Sequence, residues 1–331
     1  MSKIIGYVGG HKSNTPIGLH QFIFDKTNEK FISLNLLVPY DNPDYFAFDE
    51  NEKQFLSIIK DNQETGIISF SIHKDNSVTK TQKILTNDQK PCFISLKEEV
   101  LCSASYHGGN VNIYQKSNTH FQLFKQIQLG KDAKAHQSFI WKQYLIVVSL
   151  GYDQILFYDT TNAYKLAHTI HFPKGSGPRH CIFNSTSSKL YVLSELSNEL
   201  FVFNRKENLD FVLVEKKSLL LANPSSHTNH SAAIRITKDD KFLYTSTRGE
   251  DTISVFSLTN ETTLLQHIQS FGKHPRDFIL DASEAYMFIV NRDSNNLVCL
   301  KRDKATGYLS EKLDEIEIHG AVAVQIQKRN I

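Results

Sequence analysis

Tryptophan, methionine and cysteine are all scarce in this sequence: its 331 residues hold one Trp, two Met and four Cys. The cysteines, Cys92, Cys102, Cys181 and Cys299, show no CxxC spacing and sit inside apolar, strand-like stretches. That excludes a zinc ribbon or a disulfide framework, and reduced structural thiols in a cytoplasmic protein are expected. Long apolar runs are missing as well. The longest are of the size of LIVV, far below the roughly 20 residues that a membrane-spanning helix requires. The opening MSKIIGYVGG has no apolar segment followed by a small-residue cleavage site, so secretion is not expected. Neither charge dominates: 37 basic residues face 35 acidic ones for a net +2, with no like-charge run. Nucleic acid and membrane surfaces are therefore poor candidates as partners. GxSxG, HExxH and dinucleotide fingerprints are absent too.

What is present is repetition. Seven segments share one plan, an apolar strand, a polar turn and a second strand ending in aromatic or aliphatic residues: KIIGYVGGHKSNTPIGLHQF, KQFLSIIKDNQETGIISF, EVLCSASYHGGNVNIY, QYLIVVSLGYDQILFY, KLYVLSELSNELFVF, KFLYTSTRGEDTISVF and AYMFIVNRDSNNLVCL. This is the alternating, turn-bounded pattern of antiparallel strands. A short apolar strand precedes each, opened by Pro43, Pro91, Ala135, Pro178, Ser231, Pro275 and Ala321 at spacings of 48, 44, 43, 53, 44 and 46 residues. Repeats of that length with four strands each predict an all-β, seven-bladed β-propeller. The chain starts on a second strand, IIGYV, and ends on a lone first strand, AVAVQIQ. The C-terminal strand should therefore complete the N-terminal blade and leave no open edge. On this reading residues 1–331 form one domain, with blade 1 from 1–40 plus 317–331 and blades 2 to 7 at about 41–90, 91–133, 134–176, 177–229, 230–273 and 274–316. LANPSSHTNH, at the longest spacing, reads as an enlarged loop.

In a four-stranded meander the start of the first strand and the end of the second lie on the same face. Arg179 and Glu195 occupy those two places in blade 5, 16 residues apart, as do Ala232 and Arg248 in blade 6 and Arg276 and Arg292 in blade 7. His136 takes the Arg179 place one blade earlier. Only eight arginines stand against 29 lysines, and four of the eight fall in these equivalent places. Arginine is favoured where a planar donor fork must hold a carboxylate or phosphate in a fixed pose. The pattern predicts a pocket near the channel mouth for a small anionic ligand, with no cofactor or metal. Its residues are His136, Arg179, Glu195, Arg248, Arg276 and Arg292, with His180, Tyr106 and His107 as further binding candidates. A competing structural reading pairs Arg276 with its neighbour Asp277. Alternation along a strand should turn His180 away from Arg179, making it a structural hydrogen-bonder. The YHGGN stretch, residues 106–110, has no following helix and reads as a tight turn with polar groups facing the channel. The pairs His227/His230 and His168/His171 lack the Cys or acidic partners that a metal site needs.

The stretches GPRHCIFN, LYVLSELSNELFVF, TRGEDTISVF and GKHPRDFILDASEAYMFIVNRD resemble the lactonase family of seven-bladed propellers, and the resemblance runs from YVGG to the last strand. That family includes 6-phosphogluconolactonases and carboxy-muconate lactonising enzymes. The resemblance implies hydrolysis of 6-phospho-D-glucono-1,5-lactone in the pentose phosphate pathway, with a lactonising cycloisomerase as the alternative. It places the site on His136, Arg179, Glu195 and Arg248. The clustered arginines should keep His136 neutral as a general base, with Glu195 orienting Arg179, His136 or the water, Arg179 and Arg248 stabilising the oxyanion, and Arg276 or Arg292 left for phosphate. The sequence departs from the family pattern at Phe93, Ser149 and Thr247. A non-catalytic propeller that binds a partner protein is the reading from another class.

Overall fold

The computed structural model describes residues 2–10, 18–49, 53–61, 64–73, 75, 77–86, 88–118, 120–222 and 228–327. His227 lies outside the described residues. Among these, regular structure consists of seven four-stranded sheets and a single 3-10 turn at Lys131–Ala133. The sheets are the seven antiparallel blades of a β-propeller. In blade 1 the C-terminal strand Ala321–Ile326 lies beside the N-terminal strand Lys3–Gly10, followed by Gly18–Asp25 and Lys30–Pro39. The far end of the chain thus completes the first blade. Gln327 extends this pairing: its backbone N–H donates to the Ile5 carbonyl at 2.9 Å, and its side chain accepts from Tyr7 Oη at 3.1 Å.

Burial follows position within the blade. Second strands are buried on both faces, as in Tyr286–Asn291, whereas last strands such as Phe211–Ser218 alternate between partly covered and exposed residues. The former read as continuous apolar runs and the latter as half-polar ones for that reason. No helix among the described residues is long and apolar enough to cross a membrane.

The chain divides into two compact units. The first comprises Met1–Val8, Gln21–Leu34 and Gly175–Ile331, and holds blades 5 to 7 with most of blade 1. Its core lies between successive blades. Tyr191, Leu193 and Val202 pack with Ile234, Leu243 and Phe256; Tyr244 and Val255 pack with Phe278, Ile289 and Val298. Between blades 7 and 1, Phe22 and Phe24 meet Phe31, Tyr286 and Phe288 at ring-centroid distances of 5.2–5.7 Å, in edge and tilted geometries that suit aromatic quadrupoles. The second unit comprises Gly9–His20 and Asn35–Lys174, with blades 2 to 4. There Leu56, Ile58 and Ile67 pack on Ile94, Leu101 and Tyr114, and Phe93, Ala104 and Val111 pack on Leu145, Val147 and Leu156.

All four cysteines are free; Cys102, Cys181 and Cys299 are buried. Burial pushes the Cys102 thiol up to about 12 and raises Cys181 and Cys299 as well. Without thiolate character these are packing residues.

Blades 4 to 7 share one departure from regular pairing. In blade 4, Ala135 faces Ser149 and Gln137 faces Val148, so His136 is an extra residue. Arg179 is the extra residue between Pro178 and His180, and Arg276 the one between Pro275 and Asp277. In blade 6 the irregularity falls between Ser231 and Ile234. Such bulges re-aim side chains and gather next to functional sites.

Candidate active site

Blade 5 presents its charged pair through this bulge. Its first strand, Pro178–Phe183, releases Arg179 from the ladder, and its second, Lys189–Ser194, ends immediately before Glu195. The Glu195 N–H donates to Gly177 O at 2.8 Å and its carbonyl accepts from Ser231 N–H at 3.2 Å, which fixes the backbone on both sides. Gly177 has φ of 65°, and a Cβ there would lie 2.6 Å from Leu196 Cγ. The conformation favours glycine and the contact with Leu196 leaves little room for a side chain.

The side chains form one clamp. Arg179 Nε lies 2.9 Å from Glu195 Oε2, and Arg248 Nη2 lies 3.2 Å from Oε1 of the same carboxylate. The side chains of Arg179 and Arg248 are only 4% and 9% exposed, and Glu195 is 15% exposed. Backbone carbonyls hold both guanidinium groups further. Arg179 Nη1 donates to Ala232 O, while Arg248 donates through Nε to His230 O at 3.0 Å and through Nη2 to Ser231 O at 3.2 Å. Burial pulls the Arg248 pKa down and Glu195 opposes that shift. The carboxylate is what makes two buried cations tolerable.

His180 does not turn away as strand alternation predicts. Its ring nitrogens lie 3.3 and 3.4 Å from Arg179 Nη1, and both residues are buried. Alternation holds only along a regular ladder, and the bulge at Arg179 interrupts it here. Asp277, the neighbour of Arg276, binds Arg235 Nη2 through Oδ1 at 2.7 Å, and its Oδ2 accepts from Val324 N–H. Arg276 itself is half-buried, and its charge acts on both Arg248 and His274. At the end of the second strand in blade 7, Arg292 Nε binds Asp293 Oδ1 at 2.7 Å.

The other predicted residues lie in the second unit. His136 is buried, with the Tyr106 ring 5.9 Å away edge-on. Tyr106 also meets His107 at 5.0 Å, and Lys134 Nζ stands 5.8 Å from the Tyr106 ring. The turn after Tyr106 is tight: Gly109, at φ 60°, donates to Ser105 O at 2.9 Å. Among the described residues no group of three or more His, Cys, Asp and Glu side chains is placed to hold a metal ion.

The sequence matches the family described as Lactonase, 7-bladed beta-propeller, over residues 5–326. The chain belongs to this lactonase family. A relative in Bacillus subtilis (strain 168), named 6-phosphogluconolactonase, is 28% identical over 94% of each chain. One of the same name in Formosa agariphila is 27% identical, covering 97% of this chain and 98% of its own. A crystal structure of a protein from Lactobacillus plantarum, 26% identical, superposes with a TM-score of 0.89 over 99% of this chain and 100% of its own.

Within the lactonase fold the residues that sequence reasoning passed over are His274 and Asp293. Both stand beside arginines, in GKHPRDF and NRD, where the 16-residue register singles out Arg276 and Arg292. The signal that could have found His274 is positional. Two residues before each bulge, blade 4 has Lys134 and blade 5 has Gly177, at φ 48° and 65°. Blade 7 puts His274 there, also at 65°. The carbonyl of each accepts the same hydrogen bond, from Leu150, Glu195 and Arg292 N–H respectively.

Proposed function

We propose that this protein hydrolyses a sugar lactone, with 6-phospho-D-glucono-1,5-lactone the first substrate to test. The observation that carries the reading is the Arg179–Glu195–Arg248 clamp, with Arg276 and Arg292 contributing charge to the same cluster. The four guanidinium groups gathered there are donors of the kind that hold an anionic substrate in a fixed pose. The names of the two relatives supply the substrate class.

Opening a lactone requires water to add to the ring carbonyl, the carbonyl oxygen to bear negative charge, and the ring C–O bond to break with a proton delivered to the ring oxygen. Fixed donors stabilise the oxyanion best because they need not reorganise as charge develops. Arg179 and Arg248 suit this role, held in place by Glu195. Arg276 and Arg292, less enclosed, are left for the phosphate.

The test is a coupled assay of lactone hydrolysis above the spontaneous rate, in EDTA, with wild type beside Arg179→Ala. We expect acceleration by the wild type and a loss of roughly 10²–10³-fold in the variant, the range seen on removing one oxyanion donor. No acceleration by folded wild type would sink the reading. The sequence reading makes His136 the general base, and His136→Ala in the same assay tests that role. Full turnover in this variant would remove it. The cycloisomerase alternative calls for muconate substrates in a parallel panel.

A further inference from the structure

The half-buried imidazole of His274 has no part in the clamp, and its surroundings are unusual. Its backbone is in the left-handed region at φ 65°, a strained conformation for a non-glycine residue that persists where surrounding structure enforces it. Two hydrogen bonds enforce it here: His274 N–H donates to Asp251 Oδ1 at 2.8 Å, and His274 O accepts from Arg292 N–H at 3.1 Å. The same Asp251 oxygen accepts from Gly249 N–H at 3.1 Å. One carboxylate therefore ties the His274 backbone to the turn that follows Arg248.

The ring is held at one nitrogen and bare at the other. Nδ1 lies 3.3 Å from Asp293 Oδ2 and 3.4 Å from Arg292 Nη2. The carboxylate is the nearer of the two, and Arg292 Nε fixes it through its other oxygen at 2.7 Å; the placement of the ring proton decides which of them Nδ1 engages. An Nδ1–H donated to Asp293 leaves a lone pair on Nε2. That atom is buried and has no hydrogen-bond partner among the described residues. Buried polar atoms are almost always satisfied, and an exception calls for water, a ligand or a catalytic role.

The charges around the ring keep that lone pair available. Burial, Arg248, Arg292 and Arg276 all disfavour the imidazolium, Asp293 opposes them, and the pKa is pushed from 6.5 down to about 3. At neutral pH His274 is an uncharged proton acceptor within a cluster of cations.

We propose that His274, oriented by Asp293, is a proton acceptor for the hydrolytic water, the role that the sequence reading gives to His136. The inference rests on the lactone-hydrolysis reading above. Nε2 takes a proton from water as the water oxygen bonds to the lactone carbonyl carbon, and the carbonyl π pair moves onto its oxygen beside the guanidinium groups. Collapse of this adduct re-forms C=O and breaks the ring C–O bond. The proton on Nε2 passes to the departing ring oxygen, and the imidazole returns to its neutral state. A carboxylate at position 293 orients the ring and steadies the transient imidazolium, as acid–His pairs do in other hydrolases.

Two measurements on the full chain test this. The first is the pH dependence of kcat and KM for wild type, His274→Gln, Asp293→Asn and His136→Ala. Because protonation of His274 is resisted, the acid limb that it sets lies well below pH 6.5, and turnover falls only as the pH drops through that lower value. We expect His274→Gln to lose roughly 10²–10⁴-fold in kcat, the span of general-base catalysis, with KM little changed and the acid limb gone. Asp293→Asn should move the limb. An unchanged kcat and acid limb in His274→Gln overturns the proposal. The second measurement is ¹⁵N NMR of histidine-labelled wild type and His274→Gln between pH 5 and 8, which needs no turnover. A neutral His274 ring protonated on Nδ1 is expected, and a ring protonated on Nε2 overturns the proposal. If folded wild type gives no acceleration, the lactone reading fails by itself, and the nitrogen spectrum still decides whether the His274–Asp293 pair offers a free base.

Discussion

Glu195→Ala is expected to lower stability by about 3–5 kcal/mol, the range for breaking a buried ion pair from one side, and to abolish lactone turnover. The size of the effect comes from what stays behind. Arg179 and Arg248 would keep their positions through the Ala232, His230 and Ser231 carbonyls while losing the one carboxylate that both guanidinium groups contact. Two cations would then face each other in a buried site. Glu195→Gln retains volume and one acceptor oxygen, and should fall between wild type and alanine. The decisive comparison adds Arg179→Met to Glu195→Ala. If uncompensated charge is the cause, removing one of the two cations should recover part of the lost stability even though a further interaction is deleted. Urea midpoints for the four proteins measure this directly. Were Glu195→Ala within about 0.5 kcal/mol of wild type, the range of an ordinary surface substitution, the carboxylate would not be what holds the clamp.

The seven blades were legible because each carries its own signal: a pair of apolar strands around a polar turn, repeated at a spacing that four short strands fill. Completion of blade 1 by Ala321–Ile326 was legible for a related reason, since the two chain ends lack complementary strands. The clamp was half legible. The 16-residue register placed Arg179 with Glu195 and Arg248 on the equivalent position, and these meet on one carboxylate. What the register could not carry was local backbone geometry. A bulge adds one residue without disturbing the overall spacing, so nothing in GPRH announces that His180 stays against Arg179. The bond from Asp277 to Arg235 was not legible, because adjacency in sequence draws attention to Arg276 instead. Side chains next to each other on a strand diverge, whereas Arg235, on the first strand of blade 6, reaches Asp277 directly. His274 was hidden for a third reason: a left-handed residue is recognisable from sequence when it is glycine, and here it is not.

Asp277→Ala is the second substitution with a large expected effect, and it concerns closure of blade 1. The carboxylate serves three blades of the first unit. It sits on the first strand of blade 7 with its side chain 6% exposed, binds Arg235 of blade 6 through Oδ1 at 2.7 Å, and accepts through Oδ2 from the N–H of Val324 on the closing strand at 3.2 Å. Alanine would take the carboxylate from the Arg235 guanidinium, 18% exposed, which also meets the Ile234 carbonyl and the face of Phe278. A buried N–H on the closing strand would be left bare as well. The charge term alone places the loss at about 3–5 kcal/mol, and an unsatisfied buried amide adds about 1–3 kcal/mol. Asparagine keeps an acceptor for one donor and should cost less. Because the lost bond belongs to the C-terminal strand, the effect should be local before it is global. Hydrogen exchange at Val324 and its strand neighbours should accelerate more than exchange in Tyr286–Asn291, which lies in the interior of blade 7. Equal acceleration at both places would mean that closure rests on apolar contacts such as Ile326 with Phe22 and Phe24, with Asp277 serving blades 6 and 7 alone.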